Sequence, residues 1–242
     1  MSGGDPWKRV LLKCSGEALM GAGAFGIDFN ALERIAADIA EVHASGIQVA
    51  VVVGGGNLFR GVKTAANGMD RPSADSMGML ATVMNGLALA DALNRAGTAA
   101  TSMSAIPMPT VCPSYTRRDA LSALDAGQVV VSTAGTGNPF FTTDTAAALR
   151  AAELGCDLLA KGTQVDGVYT ADPKKDPNAT RLDKVSHADV LRLGLEVMDT
   201  AAIALTRENH IPVMVFDLHE PGGFRAALTG AGRSTTISDE QD

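Results

Sequence analysis

The sequence has no purely apolar run near the roughly 20 residues that cross a bilayer. Val49–Val53 is typical of its longest, and Lys8, Arg9 and Lys13 break up the N-terminal region, so neither a membrane span nor a secretory leader is expected. Cysteine is scarce: Cys14, Cys112 and Cys156 are odd in number and form no C-x-x-C pair. That excludes a disulfide framework and suits a reducing compartment, so a soluble cytosolic protein is expected. His43, His187, His210 and His219 show no metal-ligand spacing. The G-x-S-x-G elbow of hydrolases is missing, and so is the phosphate-binding G-x-x-x-x-G-K-[ST]. Basic residues are the minority, 20 against 27 acidic for a net charge of −7, which leaves no footprint for a nucleic acid. No linker-like composition shift or internal repeat divides the 242 residues, so one domain is expected over 1–242, with a core at 8–221 and a polar tail at 230–242.

What remains is an alternation of short apolar runs and helical segments. Arg9–Lys13, Ile47–Val53, Gln128–Ser132, Cys156–Ala160 and Pro212–Phe216 read as buried strands, and Ser234–Ser238 as an edge strand or a frayed end. Helical patterns cover Asp28–Ser45, Ser76–Arg95, Arg117–Ala126, Thr143–Leu154 and Leu195–Asn209. Gly46, Gly97, Gly127 and Gly155 follow the first four, in the position where a left-handed residue ends a helix. Alternating strands and helices imply right-handed crossovers and a largely parallel sheet covered on both faces.

In such sheets ligands bind beyond the carboxyl ends of the strands, and several unusual segments fall there. Val51-Val52-Val53 runs into Gly54-Gly55-Gly56-Asn57, followed by Arg60, a run expected to take positive φ and to bring backbone N–H groups close to an anion. Val129-Val130-Val131 leads to Gly135-Thr136-Gly137-Asn138-Pro139-Phe140-Phe141-Thr142-Thr143-Asp144 and a helix N-terminus. Lys13 and Lys161 stand at two further strand ends as point charges over a phosphoryl group. Asp166-Gly167 signals a tight hairpin. Gly21-Ala22-Gly23-Ala24-Phe25-Gly26 fits G-x-G-x-x-G, but it does not leave a strand directly and no acidic residue follows near position 46, so it reads as a loop.

Taken together, five blocks resemble the bacterial uridylate (UMP) kinases of the amino acid kinase superfamily. They are Lys13-Cys-Ser-Gly16-Glu-Ala-Leu19, Gly54-Gly-Gly-Asn-Leu-Phe-Arg-Gly61, Met77-Gly-Met-Leu-Ala-Thr-Val-Met-Asn-Gly86, Thr136-Gly-Asn-Pro-Phe-Phe-Thr-Thr-Asp144 and Val165-Asp-Gly-Val-Tyr-Thr-Ala-Asp-Pro173. The resemblance implies a three-layer α/β/α sandwich with a largely parallel central sheet. It also implies transfer of the γ-phosphoryl group of ATP to UMP with Mg²⁺, UTP feedback and a homohexamer. By resemblance, Lys13, Cys14, Ser15, Gly16, Gly56, Arg60, Thr163, Tyr169 and Asp172 contact ATP. Gly55, Asp75 and Thr136 to Thr143 (Thr136, Gly137, Asn138, Pro139, Phe140, Phe141, Thr142, Thr143) contact UMP, with Asp75 expected to accept from its ribose hydroxyls.

Lys13, Lys161 and Asp144 are the expected catalytic group, with no metal ligand supplied by the protein. Gly21 to Gly26 match a segment associated with activation by GTP. However, Ala90, Asn94, Thr101 and Gln128 occupy positions that are basic or histidine in enterobacterial-type members, so weak or absent GTP activation is expected. Two other readings compete: a sister kinase acting on a carboxylate or carbamate, and a non-catalytic nucleotide or oxyanion storage protein on the same fold. The loop at 60–74 is a candidate lid.

Overall fold

The computed structural model describes residues 7–59, 68–171, 175–176, 178–195 and 197–239. Among the described residues ten strands occur in chain order. They are β1 (Arg9–Cys14), β2 (Gln48–Val53), β3 (Ala100–Ser104), β4 (Val129–Thr133), β5 (Leu158–Thr163), β6 (Val168–Tyr169), β7 (Arg181–Leu182), β8 (Lys184–Val185), β9 (Val213–Asp217) and β10 (Ser234–Ile237). Eight of them make one sheet in the order β3-β4-β2-β1-β5-β9-β10-β8, parallel except between β9 and β10, while β6 and β7 form a separate antiparallel ribbon.

Period-two alternation sends Val10, Leu12 and Cys14 to one face and Leu11 to the other. The first face packs under α1 (Phe29–Ala44), α2 (Arg71–Arg95) and α7 (Gly223–Leu228). The second packs under α3 (Arg117–Asp125), α4 (Thr143–Leu154), α5 (His187–Leu193) and α6 (Thr200–Glu208). The result is the expected three-layer α/β/α sandwich. By length and composition α2 is apolar enough to cross a membrane, yet more than half of that stretch is buried within this fold.

Local chemistry explains most element ends. The Asp28 carboxylate accepts from Ala31 N at 2.9 Å and starts α1. Gly155, at φ 62°, ends α4 in the left-handed conformation that glycine tolerates. Where expectation and structure differ, the causes are also local. α2 begins at Arg71 rather than Ser76, because Asp70 caps it and Pro72 occupies the first turn, where a missing N–H is harmless. The candidate lid is therefore partly helix, and its residues 60–67 lie outside the described ones. The helical pattern at Leu195–Asn209 resolves into α6 alone, starting at Thr200 behind an Asp199 cap, with α5 ending earlier at left-handed Gly194. Asp166-Gly167 makes no hairpin: β5 and β6 do not pair, and the dipeptide bends the chain into the β6–β7 ribbon. Ser234–Ile237 is neither edge nor frayed end, but lies between β9 and β8.

Close packing of α2 on the sheet depends on Gly86. A Cβ there would lie 2.1 Å from Thr133 Cγ2 and 3.2 Å from Ser102 Oγ. Alanine gains about 1 kcal/mol in helix propensity over glycine, whereas overpacking a closed interior costs about 1–3 kcal/mol. Both Thr133 and Ser102 are buried on strands, so the clash outweighs the gain. Gly86→Ala is expected to lower the urea midpoint of unfolding without changing the slope. A raised midpoint would show that α2 has slack against β4.

Candidate active site

β1 and β5 are neighbours in register, and Lys13 pairs directly with Lys161. Both fall on the strand face turned toward α4. At the first turn of that helix Asp144 divides its carboxylate between them, Oδ1 at 2.8 Å from Lys13 Nζ and Oδ2 at 2.9 Å from Lys161 Nζ. Lys161 Nζ also donates to the Val197 carbonyl. Burial pushes the Asp144 carboxyl up, but the two ammonium charges outweigh it and hold the group below the ordinary carboxylate value. Burial pulls Lys161 below the usual lysine range against the attraction of Asp144, and the nearby Lys13 charge adds to the drop.

Asp144 is itself held by a network of threonines. Thr142 Oγ1 accepts from Asp144 N at 3.0 Å and caps α4. Thr142 also donates to Asp199, and Thr145 Oγ1 lies 2.8 and 2.9 Å from the two Asp199 oxygens. Asp199 in turn caps α6. One aspartate thus fixes two helix N-termini against each other. Nothing in the sequence pattern singled it out.

The Gly54–Gly56 turn is built differently from the expectation. None of its glycines has positive φ. Their lack of a side chain serves close approach instead. A Cβ on Gly54 would meet Gly16 N at 2.7 Å, and one on Gly55 would meet Gly78 O at 2.8 Å, whereas at Gly56 it would meet nothing within 4 Å. Two buried asparagines support the turn. Asn57 and Asn85 exchange amide hydrogen bonds at 2.6 and 3.0 Å, and Asn85 Nδ2 donates to Gly54 O at 2.7 Å. Asn57 Nδ2 also donates to Gly26 O at 2.9 Å, which pins the Gly21–Gly26 segment to the same turn.

Beside that turn opens a cleft of about 190 Å³. Gly55, Gly56, Asp75, Thr136, Asn138, Phe141, Thr142 and Thr143 line it, together with residues not anticipated from the sequence, among them Arg71, Phe59 and Thr82. Asp75 accepts from Phe140 N at 2.8 Å and from Arg71 Nε at 2.8 Å. Phe140 sits at φ 71° although it is not glycine, a conformation costing on the order of 1–3 kcal/mol. Behind the loop, buried Arg150 donates to Gly135 O at 3.2 Å and stacks 3.9 Å from the Tyr115 ring. Thr82 Oγ1 accepts from Ala134 N at 2.7 Å.

The structure therefore gathers most of the expected acceptor residues, while Gly137, Pro139 and Phe140 belong to the same loop without lining the cleft. Among the donor residues, Ser15 caps the short turn Gly16–Met20. The Cys14 thiol is buried in the core under α1 and α2, burial pushes it up to about 12, and its carbonyl accepts from Gly54 N. Thr163 and Tyr169 lie outside this cleft, Thr163 at the end of β5 and Tyr169 on the ribbon, where its hydroxyl donates to Asp166 at 2.6 Å. Arg60 and Asp172 lie outside the described residues. Both Asp144 oxygens are taken by lysines, and no cluster of three or more metal-type ligands occurs among the described residues.

The sequence model of the amino acid kinase family matches residues 8–217. The chain belongs to the amino acid kinase family. Within that family the chain is similar to uridylate kinases. That of Mesorhizobium japonicum is 60 % identical over 234 residues, covering 97 % of this chain and 98 % of the relative. That of Agrobacterium fabrum is 59 % identical over 240 residues, covering 99 % and 100 %. Among solved structures, the UMP kinase of Ureaplasma parvum superposes with a TM-score of 0.92 at 37 % identity, over 96 % of this chain and 99 % of that one. The UMP kinase of Bacillus anthracis gives 0.93 at 38 % identity, over 98 % of each.

In this amino acid kinase, Asp144→Asn leaves two buried ammonium groups without their shared counter-charge, a loss of about 3–5 kcal/mol where a buried pair is broken. The native carboxyl titrates below its ordinary 3.8, so its contribution is fully present above that value and is lost as pH falls through the lower folded value. The stability gap between wild type and Asp144→Asn is expected to be constant from neutral pH down to about 4 and to close below it. A gap that persists unchanged at lower pH would show that charge is not what Asp144 contributes.

Proposed function

We propose that the chain is a UMP kinase, transferring the γ-phosphoryl group of ATP to UMP to give UDP and ADP. The observation that carries this reading is a continuity of chain. The loop Thr136–Thr143 lines the cleft, and the next residue, Asp144, holds both lysines. Acceptor site and phosphoryl charge are thereby set by one segment. The chain-long identity to uridylate kinases points the same way. In that reading Gly55, Asp75 and Thr136 to Thr143 bind UMP. Lys13, Cys14, Ser15, Gly16, Gly56, Arg60, Thr163, Tyr169 and Asp172 bind ATP, with Cys14 contributing main chain alone.

Phosphoryl transfer asks chiefly for in-line placement and for neutralisation of charge on the transferring oxygens. Lys13 and Lys161, oriented from below by Asp144, present two cations at the carboxyl ends of adjacent strands. The N-terminus of α4 adds roughly half a positive charge beside them. No general base is required, because the acceptor phosphate is already ionised near neutral pH. Magnesium arriving with ATP supplies further neutralisation of the phosphates. We place the enzyme in pyrimidine nucleotide synthesis in the cytoplasm as a single-domain homohexamer inhibited by UTP. GTP activation is weak or absent because Ala90, Asn94, Thr101 and Gln128 offer no cation.

ADP release with Mg²⁺-ATP against UMP, CMP, dUMP, acetylglutamate, aspartate and no acceptor tests the reading. Turnover with UMP is expected, and Lys13→Ala should lower kcat by on the order of 10²–10³. Turnover with a carboxylate alone would move the chain to a sister branch. Tight nucleotide binding with no turnover would make it a storage protein.

A further inference from the structure

Two locally unfavourable features meet on one carboxylate. Arg71 is the first residue of α2, at the helix end where a cation is electrostatically disfavoured. Phe140 occupies the left-handed region without being glycine. Each touches Asp75: Arg71 Nε lies 2.8 Å from both carboxylate oxygens, and Phe140 N donates to Oδ2 at 2.8 Å. The Arg71 guanidinium also lies 5.7 Å from the centre of the Phe140 ring. Local rules broken together in a functional cleft point to a shared purpose.

The hydrogen bonds leave a specific vacancy in the pattern. Among the described residues, Asp75 Oδ1 accepts from Arg71 Nε alone, and Oδ2 carries both donors. The Asp75 side chain is 13 % exposed and lines the cleft, so Oδ1 keeps a lone pair for a hydroxyl group there. A bare carboxylate in this position would repel a dianionic acceptor, and Arg71 cancels that charge at contact distance. Its Nη groups have no hydrogen-bond partner among the described residues.

We propose that Arg71 is a positioning residue which, through Asp75, makes the acceptor site read the ribose hydroxyls and so prefer ribonucleoside over 2′-deoxyribonucleoside monophosphates. This rests on the UMP kinase reading. It assigns Arg71 a role in specificity that is separate from phosphoryl chemistry at Lys13 and Lys161. The shared carboxylate also makes ribose recognition and the shape of the acceptor loop one device, since the oxygen that holds Phe140 belongs to the group that meets the sugar.

Steady-state kinetics with UMP and dUMP at saturating Mg²⁺-ATP, on wild type, Arg71→Lys, Arg71→Ala, Asp75→Asn and the double variant Arg71→Ala/Asp75→Asn, test this. Arg71→Ala is expected to raise KM for UMP and to cut the UMP-over-dUMP ratio of kcat/KM, each by about tenfold. KM for ATP should stay within about twofold, because donor contacts are untouched. Arg71→Lys should restore part of the ratio, and the double variant should lose no more of it than Asp75→Asn alone. Equal losses for UMP and dUMP, an unchanged ratio, or multiplicative losses in the double variant would overturn the proposal. Arg71→Lys carries the same test should Arg71→Ala unfold on melting. Absence of wild-type turnover with UMP would instead overturn the kinase reading, and this proposal with it.

Discussion

Two lysines on neighbouring parallel strands, turned to the same face and nearly buried, are tolerable because Asp144 stands between them. Without that carboxylate the pair would combine desolvation with like-charge repulsion, and burial together with the Lys13 charge already draws Lys161 down. Much of the surrounding architecture serves to put Asp144 there. Thr142 caps α4 so that Asp144 falls in its first turn, and Asp199 ties that turn to α6. The strand register aligns Lys13 with Lys161 rather than with an apolar neighbour. A one-residue slip of either strand would turn its lysine into the opposite core.

Legibility from sequence followed the strength of local signals. Helices with strong caps were readable: α4 begins and ends where Thr142 and Gly155 place it, and α1 begins behind Asp28. The central strands stood out because their residues are buried on both sides and read as continuous apolar runs. β3, Ala-Thr-Ser-Met-Ser, did not stand out, since small polar residues carry no strand signature and its place at the sheet edge is set by pairing with β4. The motif-bearing side of the site was equally clear. Its supports were not: Asp199, Asn85 and Arg150 lie well along the chain from the residues they hold, and Arg71, one helical turn before Asp75, stands in no motif. Their types are common on any helix, and only the folded contacts distinguish them.

The places where sequence rules are broken coincide with the chemistry. Buried lysines, a left-handed phenylalanine, an arginine at a helix start and a glycine turn made for contact all gather at the carboxyl ends of β1, β2, β4 and β5. The opposite end of the sheet carries mainly ordinary helix caps and Gly turns, with left-handed His210 ahead of β9 as a departure there. That asymmetry separates residues that make the fold from residues whose local cost the fold absorbs.

Among the described residues β8 reaches the sheet solely through β10, which the chain produces after the other described strands. On a ribosome, the pairing of β1 with β5, which brings the two lysines side by side, becomes available well before β8 and α5 have an edge to dock on. Assembly is thus ordered by synthesis: the catalytic end of the sheet can close first, and the far flank must wait for the final strand to slide between β9 and β8. In the interval β9 exposes an open edge, the kind of surface on which a nascent chain pairs with the wrong neighbour.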